Sequence, residues 1–170
     1  MGEMMKLKKT DERGFTLIEV IVTLILVGIT AAMAGMWIVS VAKGYVFAKK
    51  NMETTQKAQL ALTRLEKEFK SMSAITSSSA NSITYDRLDN TGAIINQTVT
   101  RTGSLLKIKD ELNDDTLTNS VSAFTLSYCD DATSTSCHAT WTSTSCIIVI
   151  TLTLTGADNI QSTFTQRIVP

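Results

Sequence analysis

Glu19 places a carboxylate at the edge of an uncharged apolar segment, residues 20–42. A charge deep in a bilayer costs roughly 2.5–3.5 kcal/mol and less near the interface, so such a residue usually has a partner. Residues four apart share one face of a helix, which puts Glu19 on the same face as Phe15. If the chain is cut between Gly14 and Phe15, the new α-amino group lies one helical turn from the carboxylate. It also lies near the positive end of the helix dipole, so we expect an ion pair with this amine or with that of a staggered neighbour.

A second group of residues that could bind a ligand is acidic and lies in the stretch "KDELNDDT", residues 109–116. Its members are Asp110, Glu111, Asp114 and Asp115. Closely spaced carboxylate oxygens can hold Ca²⁺, which makes this group a candidate calcium site. The spacing does not match an EF-hand loop, so we expect a solvated acidic turn and predict no cofactor.

Three cysteines offer a disulfide if their part of the chain lies outside the cytoplasm. By strand alternation, Cys146 shares an apolar face with Ile148 and Ile150. Cys129 falls on the polar face of its own predicted strand, so a bond between Cys129 and Cys146 needs a bulge or a twist. We therefore predict a disulfide between Cys129 and Cys137, which leaves Cys146 as a buried thiol.

The remaining residues do not form a catalytic constellation. His138 lies in a Ser/Thr-rich loop without a flanking Cys-x-x-Cys pair, and we expect it to be solvated. The sequence has no phosphate-binding glycine-rich loop and no His-Glu-x-x-His motif, so we predict that the chain is not an enzyme.

The charges are divided unevenly along the chain. Residues 43–72 carry seven Lys/Arg and three Glu, whereas residues 73–170 carry five Lys/Arg and nine Asp/Glu. Neither block has the strong single sign that is typical of nucleic-acid binders, so no nucleic-acid partner is expected.

Residues 20–42 would form a helix ~35 Å long, enough to cross a hydrocarbon core of ~30 Å. One alternative is a buried core helix, although so uniformly apolar a helix would be unusual in a chain of 170 residues. A second alternative is a secretory signal, because basic residues precede the segment and Ala32-Met33-Ala34 offers a cleavage site before Gly35. Two features oppose it: the apolar run continues past that site, and Glu19 lies where the apolar part of a signal should begin.

The stretch "RGFTLIEVIVTLILVGI", residues 13–29, closely resembles the N-terminal motif of type IV pilin-like proteins. This family includes type IV pilins and the pseudopilins of type II secretion. The resemblance implies that a prepilin peptidase removes a leader by cutting between Gly14 and Phe15, and that it methylates Phe15. It also implies that Glu19 is the glutamate that engages the N-terminal amine of an adjacent subunit.

The same resemblance implies partners and a location. The partners would be prepilin peptidase, other pilin or pseudopilin subunits, the inner membrane and assembly platform proteins. The protein would cross the inner membrane once, with its head outside the cytoplasm, and would then enter a pilus or pseudopilus. Many major pilins have a helix-kinking proline near the position of Met36, which is absent here. This favours a minor subunit that acts in initiation or at the tip, and the alternative is a membrane-tethered binding domain that does not polymerise.

A helical pattern continues beyond the apolar segment. Apolar residues recur at spacings of four and three, which is typical of an amphipathic helix. They are Ala58, Leu62, Leu65, Phe69 and Met72. We expect this stripe to pack on the protein's own sheet, and a coiled coil with a partner is the alternative. Because residues 45–72 contain no Pro or Gly, we predict one helix from Phe15 to about Met72.

Residues 71–82 are expected to form a Ser-rich linker, after which the apolar period changes to two, as in strands. The predicted strands are residues 82–88, 93–101, 104–109, 121–128, 146–155 and 160–169. One long helix with an antiparallel sheet defines an α+β fold. This order of elements resembles the J-type minor pseudopilins and the W-type minor pilins. The predicted division is a leader (1–14), a transmembrane and assembly helix (15–42), its amphipathic continuation (43–72) and a β-rich head (73–170).

Overall fold

The apolar run and the amphipathic stripe form one α-helix, α1, at Leu17–Lys70. The structure is a computed structural model that describes residues 14–89, 91–131, 133 and 137–170. Proline, the strongest helix breaker, occurs in this sequence only at Pro170. The last turn carries Lys67 and Lys70, whose positive charges stabilise the negative end of the helix dipole. The prediction of one long helix is confirmed.

The chain divides into two units, and the first extends to Tyr45. In its described part, large apolar side chains such as Leu24, Trp37 and Val41 are exposed. By length and composition, α1 can cross a membrane. A contiguous apolar surface of this kind marks a membrane or protein contact, because water-exposed patches of this extent are rare.

The second unit is Val46–Pro170, and it buries the predicted stripe of α1. Ala58, Leu65 and Phe69 are fully buried in the hydrophobic core, and Met72 packs against it. Ala61, which the stripe did not include, is buried as well. The stripe therefore packs on the protein's own sheets, as predicted.

The first sheet consists of five antiparallel strands in the order β1-β2-β3-β4-β5. They are β1 (Met72–Ser78), β2 (Ser82–Leu88), β3 (Ile94–Thr102), β4 (Leu105–Lys109) and β5 (Asp114–Thr118). Alternate residues of β2, Ile83 and Tyr85, face the core, and Ile83 pairs with the buried Val99 of β3. This period-two burial is what the sequence predicted for β2, β3 and β4.

The second sheet has four antiparallel strands in the order β7-β6-β8-β9. They are β6 (Val121–Cys129), β7 (Cys137–His138), β8 (Ile147–Thr155) and β9 (Gln161–Ile168), with a short 3₁₀ turn at Ala157–Asn159. The predicted apolar faces of β6 and β8 both point into the core, and Leu126 pairs with Ile150. The α+β class is confirmed.

Three strands were not predicted, and the head has two sheets where one was expected. The expected Ser-rich linker contains β1, which pairs with β2 through backbone groups although only Met72 and Ile75 are partly buried apolar residues. The expected acidic turn contains β5, and Lys107 Nζ lies 3.0 Å from Asp114 Oδ2 across the β4–β5 pair. The third strand, β7, is only two residues long and pairs with the end of β6.

Candidate functional site at the start of the helix

Thr16 caps the N-terminus of α1. The backbone N–H of Glu19 donates to the carbonyl oxygen of Thr16 at 3.0 Å and lies 3.4 Å from Thr16 Oγ1. The backbone N–H of Val20 donates to the same carbonyl at 3.3 Å. A threonine three residues before a glutamate is the sequence signature of a capping box, of which the threonine half is formed here: Thr16 accepts an N–H group that the first turn leaves without a partner. The sequence reasoning overlooked Thr16, although its spacing from Glu19 carries this signal.

The Glu19 side chain lies in the first turn of α1 and is exposed. Within the described residues, its carboxylate has no hydrogen-bond or ion-pair partner. Its position near the positive end of the helix dipole stabilises the negative charge by a few tenths of a kcal/mol to ~1 kcal/mol. The carboxylate is therefore available to a cation that the described part of the chain does not supply.

Gly14 and Phe15 precede the helix, and both are exposed. Neither lies within the hydrogen-bonded turns of α1, which begins at Leu17. A peptide bond outside a helix is accessible to a protease because no helical hydrogen bond must break first. The rest of the predicted leader, residues 1–13, lies outside the described residues.

Comparison with known families identifies this segment. The family described as the prokaryotic N-terminal methylation motif matches residues 9–35. That range contains Gly14, Phe15 and Glu19, and it runs well into the exposed apolar helix. This motif is the signature of type IV pilins.

No curated protein matches this chain. Its signature implies processing by a prepilin peptidase and assembly with other pilins. The signature and the single apolar N-terminal helix fit a membrane-anchored protein that crosses the bilayer once. A motif of this kind indicates a structural protein.

The cysteines lie at one end of the second sheet. A disulfide joins Cys129 of β6 to Cys137 of β7, and the two residues are also directly paired in the strand ladder. The bond closes the loop between the two strands. Cys129 is fully buried, although the hydrophobic core cluster that contains Phe124, Leu126 and Tyr128 does not include it.

Cys146 is exposed, which corrects the prediction of a buried thiol. The alternation of β8 would have placed Cys146 with Ile148, but β8 begins only at Ile147. Cys146 lies between the buried Ser145 and Ile147, and its N–H donates to the carbonyl oxygen of Cys129 at 3.0 Å. Its Sγ lies 2.7 Å from the carbonyl oxygen of Asp130. The free thiol therefore lies beside the disulfide-closed loop at the protein surface.

The candidate calcium ligands are used inside their own turn and strand. Asp110 Oδ1 accepts hydrogen bonds from the N–H groups of Leu112 (2.8 Å) and Asn113 (2.6 Å), which lower the pKa of Asp110. Asp114 lies within ion-pair distance of Lys107, whose hydrogen bond lowers the pKa of Asp114.

Glu111 and Asp115 are exposed. Within the described ranges, no three His, Cys, Asp or Glu side chains converge as metal ligands would.

His138 lies in β7 and not in the expected loop. Its Nε2 atom is 3.5 Å from Asp130 Oδ2, and both side chains are about half exposed. The pair is a surface contact near the disulfide. It does not place a base beside a nucleophile.

Proposed function

We propose that this type IV pilin-like protein is a minor structural subunit of a type IV pilus or a type II secretion pseudopilus, where it acts in filament initiation or at the tip. One observation carries the proposal. The methylation motif at residues 9–35 leads directly into an exposed apolar helix, and within the described residues the Glu19 carboxylate has no partner. The exposed apolar helix needs a bilayer or other helices around it. The Glu19 carboxylate needs a cation.

Assembly then follows from the order of events at the N-terminus. Prepilin peptidase cuts after Gly14 in the inner membrane and methylates Phe15, while the head lies outside the cytoplasm. The apolar part of α1 moves from lipid to a bundle of neighbouring helices, a transfer between two apolar surroundings that costs little. Glu19 pairs with the N-terminal amine of an adjacent subunit and so fixes the register of the two helices, as a single buried polar contact does in other helix bundles.

The proposed minor role is supported by the absence of a proline from α1. Major pilins of the resembled family often have a helix-kinking proline near the position of Met36, whereas here α1 continues through that position. The filament partners would be other pilin or pseudopilin subunits, together with the assembly platform proteins that lift subunits from the membrane.

Mass spectrometry of the mature N-terminus tests the proposal, applied separately to membranes and to sheared filaments. We expect a chain that begins with methylated Phe15 in both fractions. A chain that begins at Gly35 would identify a secretory signal and overturn the proposal. A chain that begins at Phe15 but is absent from every filament fraction would identify a membrane-tethered binding domain.

A further inference from the structure

Three large aliphatic side chains are exposed together at one end of the first sheet. Leu88 is 58% exposed at the end of β2, Ile94 is 69% exposed at the start of β3, and Leu112 is 92% exposed in the turn between β4 and β5. Leu88 and Ile94 are paired directly across β2 and β3. We call these three residues the end patch.

The two turns that carry the end patch are fixed by aspartates. Asp89 Oδ1 accepts hydrogen bonds from the N–H groups of Thr91 (2.7 Å) and Ala93 (2.9 Å), next to Ile94. Asp110 Oδ1 accepts the N–H of Leu112 itself at 2.8 Å. Little conformational entropy is lost when a turn held in this way binds a partner, so the exposed side chains are pre-organised for contact.

The end patch is continuous and its rim is acidic. A groove of about 160 Å³ is lined by Ile94, Ile95, Leu112 and their neighbours, so it connects the start of β3 with the turn before β5. Asp89, Asp110 and Glu111 lie beside it, and among the described acids nearby it is Asp114 that is paired with lysines. An apolar surface with a negative rim fits a partner that presents aliphatic side chains among lysines.

This chain carries such a surface on α1, on the side opposite the buried stripe. Residues spaced three and four apart form one exposed line, which we call the outer stripe. It consists of Lys49, Met52, Gln56, Leu60, Thr63 and Lys67. Met52 is 63% exposed and Leu60 is 71% exposed, with Lys49 and Lys67 at the two ends. Glu53 is the one exposed acid beside them, so the stripe is basic and apolar.

We propose that the end patch of one copy docks on the outer stripe of a second copy, an interaction that rests on the proposed function as a filament subunit. The two surfaces differ, and a contact between two different surfaces of one chain generates an open, staggered array and not a closed dimer. The geometry suits a stagger. Met72 pairs with Arg87, so the end patch lies near the end of α1. The outer stripe runs from Lys49, about six turns before that end, to Lys67 in the last turn. Two stacked copies form the first step that initiation of a filament requires.

Cross-linking of two differently tagged copies of the full chain tests this contact. Both copies carry Cys146→Ser, one carries Leu112→Cys and the other carries Leu60→Cys, and a short bis-maleimide is added to intact cells. In the matched control, Val169→Cys replaces Leu112→Cys; Val169 follows β9 and is 64% exposed. We expect about tenfold more product between positions 112 and 60 than in the control, a preference of ~1.4 kcal/mol.

Charge reversal supplies the second readout. Glu111→Lys in the first copy should lower the yield of the product, and Lys49→Glu with Lys67→Glu in the second copy should restore it. A yield at the control level, or a yield that does not respond to either reversal, overturns the proposal. A product formed only with another pilin-like subunit also overturns it, because the occupant would then not be a second copy.

The same samples separate this inference from the proposed function. If the chain begins at Phe15 and is recovered in filaments but the product stays at the control level, the docking is wrong and the proposed function stands. If the chain is not cut at Phe15 and is absent from filaments, the proposed function is wrong. The yield in the membrane fraction then still decides whether two copies dock.

Discussion

The backbone and the side chain of Glu19 serve different partners: its N–H donates to the Thr16 carbonyl at 3.0 Å, while its carboxylate meets no donor within the described residues. The cap at Thr16 therefore fixes where α1 begins and holds Glu19 in the first turn. The side chain is left free at that fixed position. Helix initiation and subunit recognition can consequently be separated by mutation.

Thr16→Ala should weaken the start of the helix without abolishing assembly. Loss of the Thr16 Oγ1 contact is expected to destabilise the first turn by about 1 kcal/mol, and Thr16→Ser should restore it. Amide hydrogen exchange of residues 17–20 in detergent measures the effect as faster exchange in Thr16→Ala. Filament recovery should stay near the wild-type level. A complete loss of correctly processed Thr16→Ala from filaments would show that the cap, and not the carboxylate, is the essential feature.

Cys137→Ser should destabilise the head, because the Cys129–Cys137 disulfide closes a loop with a sequence separation of eight. The loss expected for so short a loop is about 2.5 kcal/mol of unfolding free energy. Cys146→Ser is the matched control and should change stability little, since Cys146 is exposed and free. Urea denaturation without reductant measures both variants. Equal losses in the two variants would indicate that Cys146 takes part in the bond.

Glu68→Ala should be more harmful than its sequence position suggests. Glu68 is a buried residue of α1, 3.0 Å from Arg64 Nε and 3.8 Å from Arg87 Nη1. Its removal leaves Arg87 without its carboxylate partner, and because Arg87 is one-third exposed we expect about 2–3 kcal/mol, below the range for fully buried pairs. Glu66→Ala is the matched control, as Glu66 lies on the same helix but its contacts with Lys70 and Gln166 are more exposed to solvent and should contribute less. Equal midpoints of urea denaturation for the two variants would contradict this account.

Much of this fold could be predicted because burial repeats with a simple period. The stripe of α1 and the alternating faces of β6 and β8 each place apolar residues at one spacing, so the sequence alone assigns element type and core face. Cys146 shows the limit of this reasoning, because alternation does not state where a strand begins. Its parity matches Ile148, yet β8 starts after it and the thiol is exposed.

Strands β1 and β5 were missed because backbone pairing, and not apolar side chains, stabilises them. β1 packs only Met72 and Ile75 against the core while Ser73, Thr76 and Ser77 are exposed, and β5 begins with two aspartates. Glu68 was missed for a related reason: its partner Arg87 lies on β2, and a sequence does not show which distant charge a buried carboxylate will meet. The N-terminal site was more predictable, since Gly14, Phe15 and Glu19 are local in sequence.

The stability of the head should fall in acid through the two aspartates that fix its turns. Hydrogen bonds from the side chain of Thr91 and the N–H of Ala93 lower the pKa of Asp89, and N–H groups of Leu112 and Asn113 lower the pKa of Asp110. A carboxyl with a lowered pKa stabilises the fold above its unfolded pKa of about 3.9 and loses that contribution as pH falls through the folded value. The melting temperature should therefore be constant between about pH 5 and 7 on account of these groups and should drop below about pH 4.

Asp110→Ala tests whether these aspartates cause the acid sensitivity, because it removes one of the two titrating carboxyl groups. The variant should melt at a lower temperature than the wild type at neutral pH and should show a smaller further decrease in acid. An unchanged difference between neutral and acidic pH would show that Asp110 does not contribute to the acid sensitivity.

The most direct test of the account is the fractionation of Glu19→Ala between membranes and sheared filaments, beside the wild type and the matched control Glu53→Ala. The substitution makes the start of the apolar segment less polar, so insertion should hold or improve, and cleavage after Gly14 should continue because the Gly-Phe junction is intact. Loss of the carboxylate leaves a neighbour's N-terminal amine without its partner, at a cost of roughly 3–5 kcal/mol where the pair is desolvated. We predict Glu19→Ala in the membrane with Phe15 at its N-terminus but depleted from filaments, with Glu53→Ala recovered at the wild-type level. Recovery of processed Glu19→Ala in filaments at the wild-type level would contradict the account.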